Sequence, residues 1–148
     1  MYTIEEYDKE KSKILKYILY KKRSKQEVKN KFCSTINNEM LEEIIEELEE
    51  NGYIDDSNYI ERAVKEYVAL NALSLKEVKY KLMAKGIKSG LIEDYFSEHQ
   101  DEMQEYEINS AKKLILKKQN QMDETTLMQF LLKKGYKTEN IREAIGRI

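Results

Sequence analysis

Apolar positions fall in stripes at helical spacing, broken by capping signals. Ile14, Leu15, Ile18 and Leu19 recur at i, i+1, i+4 and i+5, which predicts a helix from about Glu5 to Lys22. Ser24-Lys25-Gln26-Glu27 then reads as a capping box. The serine hydroxyl accepts an amide three residues on, and Glu27 reaches back to the cap amide. Val28 and Phe32 continue that second helix. A third, from about Asn38 to Glu50, carries Leu41, Ile44, Ile45 and Leu48, and Gly52 supplies a left-handed stop.

The pattern returns twice. Asp55, Asp56 and Ser57 offer cap oxygens to a helix bearing Ile60, Ala63, Val64, Tyr67 and Val68. Ser74-Leu75-Lys76-Glu77 is a second capping box, followed by Val78 and Leu82 and closed by Gly86. A short helix with Leu91, Ile92, Tyr95 and Phe96 completes the unit. The third begins near Asp101 with Ile108, Ala111, Leu114 and Ile115. It continues with Asp123 as cap, Leu127, Phe130 and Leu131 on one face, and a stop at Gly135. Thr138 is the expected cap of a last helix with Ile141, Ala144 and Ile145. Ser24, Glu27, Val28, Lys29 and Lys31 recur fifty residues on as Ser74, Glu77, Val78, Lys79 and Lys81. A period near fifty with three helices per unit predicts an all-α tandem array, elongated and curved. In such an array, stacking of neighbours is expected to complete each unit's core. The units span about 5–52, 55–98 and 101–147 of one domain covering 1–148.

Composition narrows the chemistry. Among 148 residues there are no prolines, five glycines, one cysteine and one histidine, too few for a disulfide framework or a multi-histidine metal centre. No phosphate-cradling glycine motif and no long apolar run occur, so neither a nucleotide cofactor nor a membrane is expected as a partner. The N-terminal stretch is charged from Glu5 onward and lacks a signal-peptide pattern, which points to the cytoplasm. No catalytic residue, metal site or cofactor is indicated.

The net charge of -2 hides strong segregation. Lys9 to Lys31 nets +8, Glu39 to Glu61 nets -10, Lys76 to Lys88 nets +4 and Lys112 to Arg142 nets +5. Such blocks suit charged partners, although solvated helix faces would look the same.

Few single residues invite a sharper reading. Asp55 and Asp56 form a carboxylate pair, but their place before an apolar-periodic stretch favours capping over acid–base chemistry. Cys33, with no histidine nearby, reads as a buried small hydrophobe. His99 reads as an exposed junction residue. Tyr53, Tyr67, Tyr95 and Tyr136 fall at core or turn spacing, whereas Tyr2, Tyr7, Tyr20 and Tyr80 are less constrained.

The motifs together resemble the RecX family of RecA modulators. They are Arg23-Ser24-Lys25-Gln26-Glu27-Val28; Gly52-Tyr53-Ile54-Asp55-Asp56-Ser57-Asn58-Tyr59; Leu82-Met83-Ala84-Lys85-Gly86-Ile87; and Phe130-Leu131-Leu132-Lys133-Lys134-Gly135-Tyr136. The resemblance runs from about Tyr7 to Ile145. It implies a three-repeat, non-enzymatic protein that binds the RecA filament on single-stranded DNA. Such proteins inhibit its ATPase, strand exchange and growth, restraining recombinational repair and the SOS response.

Two departures stand out. The first repeat lacks the Lys-Gly-Ile stop, reading Ser34-Thr35-Ile36 instead, and the chain is acidic where family members are often basic. The latter shifts weight from direct DNA affinity, expected to be weak, towards filament binding. Candidate contacts to filament or phosphate are Lys21, Lys22 and Arg23; Lys76, Lys79, Lys81 and Lys85; Lys112, Lys113, Lys117 and Lys118; and Lys133 and Lys134. The runner-up reading is a DNA-binding regulator using one capped helix pair as a helix-turn-helix. Its middle helices offer mainly lysine, which grips phosphate but reads no bases. A monomer is expected if both end repeats are polar outside.

Overall fold

Helices begin and end close to where the caps predict. The computed structural model describes residues 2–148, and among these it forms nine α-helices and no strand. They are α1 (Ile4–Tyr20), α2 (Lys25–Phe32), α3 (Asn38–Glu50), α4 (Asp56–Leu70), α5 (Leu75–Ala84), α6 (Ser89–Glu98), α7 (Gln100–Lys118), α8 (Glu124–Lys134) and α9 (Thr138–Gly146). Both expected capping boxes form, and a third, Thr3 with Glu6, starts α1. Asp55 and Asp123 cap α4 and α8 through the amides of Asn58 and Thr126. Gly52, Gly86 and Gly135 take left-handed φ values of 81°, 82° and 106°.

Buried apolar residues gather in three clusters along the chain. The first joins Ile14 and Ile18 of α1 to Val28 of α2 and Leu41, Ile44, Ile45 and Leu48 of α3. The second gathers Ile60, Val64, Val78, Leu82, Ile92 and Phe96 with Met103 and Tyr106. The third gathers Ile108, Ala111, Ile115, Leu127, Leu131, Tyr136, Ile141 and Ala144. Helix α7 therefore serves two clusters, its first two turns packing with the second repeat and the remainder with the third. The expectation that stacking completes the cores is met between the second and third repeats, where Met103 and Tyr106 of α7 join the second cluster; the buried residues of the first cluster all fall within 14–54, and its joint to the second repeat is largely polar. The accessible surface, 9662 Å², exceeds the roughly 7,900 Å² expected of a compact monomer of this mass, as an elongated array requires.

Several expectations for single residues are overturned. Leu19, Val68 and Ile145 are exposed, each lying in the last turn of its helix at the margin of its core. Tyr53 is also exposed, because the buried neighbour that anchors its turn is Ile54. Cys33 is exposed rather than buried, since it caps α2 beyond the last apolar position. His99 is half-buried, its ring stacked 4.0 Å from that of Tyr95 and its Nδ1 2.8 Å from the Tyr95 carbonyl oxygen. Thr138 does not cap α9. The cap position is Lys137, whose amide is taken by a buried glutamate described below.

Candidate functional site: the repeat joints and the lysine faces

The two capping-box serines do more than cap. Ser24 Oγ accepts the Glu27 amide at 3.1 Å and donates to the Lys85 carbonyl of the next repeat at 2.6 Å. Fifty residues on, Ser74 Oγ accepts the Glu77 amide at 3.1 Å and donates to the Lys134 carbonyl at 2.8 Å. The glutamates are shared in the same way. Glu27 Oε2 lies 4.0 Å from Lys85 Nζ, and Glu77 Oε2 lies 3.4 Å from Lys134 Nζ. Thus the C-terminal end of α5 meets the N-terminal end of α2, and α8 meets α5 likewise. Orphan carbonyls find donors, and the helix dipoles run head to tail.

Close approach explains two of the glycines twice over. A Cβ on Gly86 would lie 2.2 Å from Gln26 Cβ, and one on Gly135 would lie 2.8 Å from Lys76 Cβ. Gly52 faces open space, so only its φ demands glycine.

Each joint also receives a carboxylate from the following repeat. Asp56 Oδ1 accepts the Lys25 amide at 2.9 Å, and Glu107 Oε2 accepts the Leu75 amide at 2.7 Å. Burial pushes the Asp56 carboxyl upward, against the lowering effect of the Lys25 amide. Glu107 is fully buried and its other oxygen accepts the Lys137 amide and Asn140 Nδ2 at 2.8 and 3.0 Å. One carboxylate therefore stands at the N-terminal ends of both α5 and α9, where partial positive charge favours it. Tyr106 Oη donates to the Leu73 carbonyl at 2.6 Å, and Ser110 Oγ bonds Tyr136 Oη at 2.6 Å. Burial raises both tyrosine pKa values.

The open ends differ from the joints. At the C-terminal end of α2 no repeat docks among the described residues, and Ser34-Thr35-Ile36 closes without glycine: the Thr35 and Ile36 amides both donate to the Phe32 carbonyl. At the N-terminal end of α8 the cap is Asp123, which accepts but carries no proton to donate to a neighbouring carbonyl. Its carboxyl is held below the usual range by its hydrogen bonds from Thr126.

The candidate cations divide between structure and surface. Lys85 and Lys134 close the joints, and Lys79 pairs with Glu93 at 3.1 Å. Arg23 lies over the Tyr17 ring at 4.1 Å, Lys113 donates to the Leu70 carbonyl, and Lys118 lies over Phe130. Lys22 reaches Asn58. Lys21, Lys76, Lys81, Lys112, Lys117 and Lys133 make no ion pair among the described residues. Sequence reasoning missed Glu107 and Asn140, because one lies mid-helix among other acids and neither belongs to a local motif. No group of three or more His, Cys, Asp or Glu is placed to hold a metal, and no helix is long and apolar enough to cross a membrane, among the described residues.

The nine helices and the twice-used joint define a tandem helical-repeat protein. The chain is similar to RecX from Lactobacillus salivarius, whose crystal structure superposes with a TM-score of 0.81 at 26% identity over 98% of this chain and 97% of that one. In sequence it is 28% identical to the regulatory protein RecX of Streptococcus mutans over 97% of this chain, and 28% identical to that of Clostridium acetobutylicum over 93%. The chain thus resembles RecX regulatory proteins over nearly its whole length. It spans 57% of the Streptococcus mutans protein and 68% of the Clostridium acetobutylicum one. No family model matches it.

Proposed function

We propose that this chain binds the RecA filament on single-stranded DNA and restrains it, lowering its ATPase, strand exchange and growth without chemistry of its own. The observation that carries the reading is the likeness to RecX proteins over nearly the whole chain, joined to a repeat array that leaves lysines free on successive units. Lys76 and Lys81 stand on α5, Lys112 and Lys117 on α7, and Lys133 on α8. A filament repeats its subunits, so cations on linked repeats act as linked contacts, and avidity grows through effective concentration without any one contact being strong. The polar joints hold those repeats in one geometry. The chain acts as a monomer in the cytoplasm, with Ser24, Ser74 and Glu107 finding their joint partners within one copy.

The helix-turn-helix alternative meets a geometric obstacle. A recognition helix reads bases with its N-terminal residues. The N-terminal ends of α2 and α5 are docked onto the following repeat, and that of α8 presents Asp123 and Glu124, which repel phosphate.

Association with preassembled RecA filaments, followed across a salt series, tests the reading. The rate falls as ionic strength rises if free lysines steer the encounter. A rate indifferent to salt contradicts the electrostatic part, and no association at any salt contradicts the whole.

A further inference from the structure

The last helices of the three repeats correspond residue by residue. Ile45, Phe96 and Ile145 hold the same place in α3, α6 and α9, one turn beyond the buried Leu41, Ile92 and Ile141. Ile45 and Phe96 are buried, at 1% and 7% exposure, whereas Ile145 is 43% exposed. In the second repeat the cover comes from a helix. Met103 and Tyr106 of α7, spaced to share one face, join the cluster that holds Phe96. Over Ile145 no such cover is found among the described residues.

A groove of about 300 Å³ lies there instead. Ile115, Met122, Leu127, Met128, Ile145 and Ile148 line it, and Glu124 is its one charged residue among those described. Two methionines suit a surface that receives a partner, because an unbranched thioether side chain repacks to fit different shapes.

Charge decides which kind of helix fits. Lys76 and Lys79 of α5 line the groove of the second repeat. At the same places α8 carries Thr125 and Met128, and Glu124 stands where α5 has Leu75. Two cations are lost and one anion is gained along the same helix. The complement therefore shifts from an acidic helix, such as the start of α7 with Asp101 and Glu102, to a basic one.

We propose that the groove on the third repeat seats a basic amphipathic helix of a partner protein. Large apolar residues three or four apart on that helix face Ile145 and Met128, and its lysines or arginines flank Glu124. The inference goes beyond the filament reading, and neither RecA nor DNA enters its test.

A labelled Leu/Lys peptide of about 15 residues, patterned as an amphipathic helix, is the probe, with a Leu/Glu peptide of the same pattern as control. Fluorescence anisotropy shows the Leu/Lys peptide binding at least about tenfold more tightly than the control. Ile145→Lys and Ile148→Lys together weaken it about tenfold, because charge replaces apolar side chains that the peptide buries. Both side chains are exposed, and unchanged far-ultraviolet circular dichroism checks that the fold is kept. In the unaltered chain labelled at methionine methyls, the Met122 and Met128 signals move on binding while Met83 stays in place. Shifts at Met40 alone would put the peptide on the acidic α3 and overturn the proposal. Equal binding by the double variant, equal binding of the Leu/Glu peptide, or no binding of either peptide overturns it as well. Self-association of the unaltered chain in sedimentation, lost in the double variant, makes the occupant a second copy and equally overturns it.

Discussion

The Ser74 hydroxyl donates to the Lys134 carbonyl of the next repeat while accepting the Glu77 amide of its own helix. Ser24 does the same with Lys85 and Glu27. One fully buried oxygen in each joint thus ends one helix and starts another, and both serines have zero exposure. The role needs a side chain that both accepts and donates, which a hydroxyl does and an ionised carboxylate does not.

Serine substitution should therefore separate joint caps from an open cap. Ser74→Ala removes a cap and strands a carbonyl, at a cost of about 1–3 kcal/mol. Ser74→Asp costs at least as much, because it places a carboxylate beside that carbonyl. At the open end, Asp123→Ser changes stability by less than about 0.5 kcal/mol, since serine and aspartate cap comparably. Urea midpoints of the purified variants measure all three. Tolerance of Ser74→Asp equal to that of Asp123→Ser would show that the hydroxyl proton does not matter.

The glycines should rank by what surrounds them. Gly52→Ala meets open space and carries only the left-handed penalty of about 1–2 kcal/mol. Gly86→Ala carries that penalty and a collision with Gln26, so it loses more and drives the second repeat from the first. Thermal midpoints compare the two, and equal losses would remove the close approach from the account.

Protonation gives a test at the first joint. Burial raises the Asp56 pKa in the folded chain above its unfolded value near 3.9. The folded state then binds the proton more readily, so this residue's contribution to stability declines as pH rises through the interval between the two values. Asp56→Asn keeps an acceptor for the Lys25 amide and removes the buried charge. The variant is expected to equal the unaltered chain below that interval and to exceed it at neutral pH. Denaturant midpoints measured across the acid range check this, and a variant weaker at neutral pH would reverse the sign.

Much of the architecture is legible along the chain because its signals are local. Capping boxes at Ser24 and Ser74, stops at Gly52, Gly86 and Gly135, and stripes such as Ile44, Ile45 and Leu48 each need only a few neighbouring residues. The joint is not local: Ser24 meets a carbonyl sixty-one residues away, and nothing beside Ser24 announces it. Glu107 was illegible for the same reason, its three donors lying on two other elements. The missing Lys-Gly-Ile in the first repeat, by contrast, was visible as Ser34-Thr35-Ile36. Its meaning emerged only once α2 was seen to end where no repeat docks. Of the candidate cations, spacing could not separate Lys85 and Lys134, which close joints, from Lys81 and Lys133, which stay free.

The most direct test of the functional account is the single-stranded-DNA-dependent ATPase of the cognate RecA, titrated with this chain. The account predicts inhibition at amounts well below one chain per RecA, because a restraint on filament growth acts through few sites. An ATPase unchanged up to and beyond equimolar chain, with DNA and salt held constant, would contradict it.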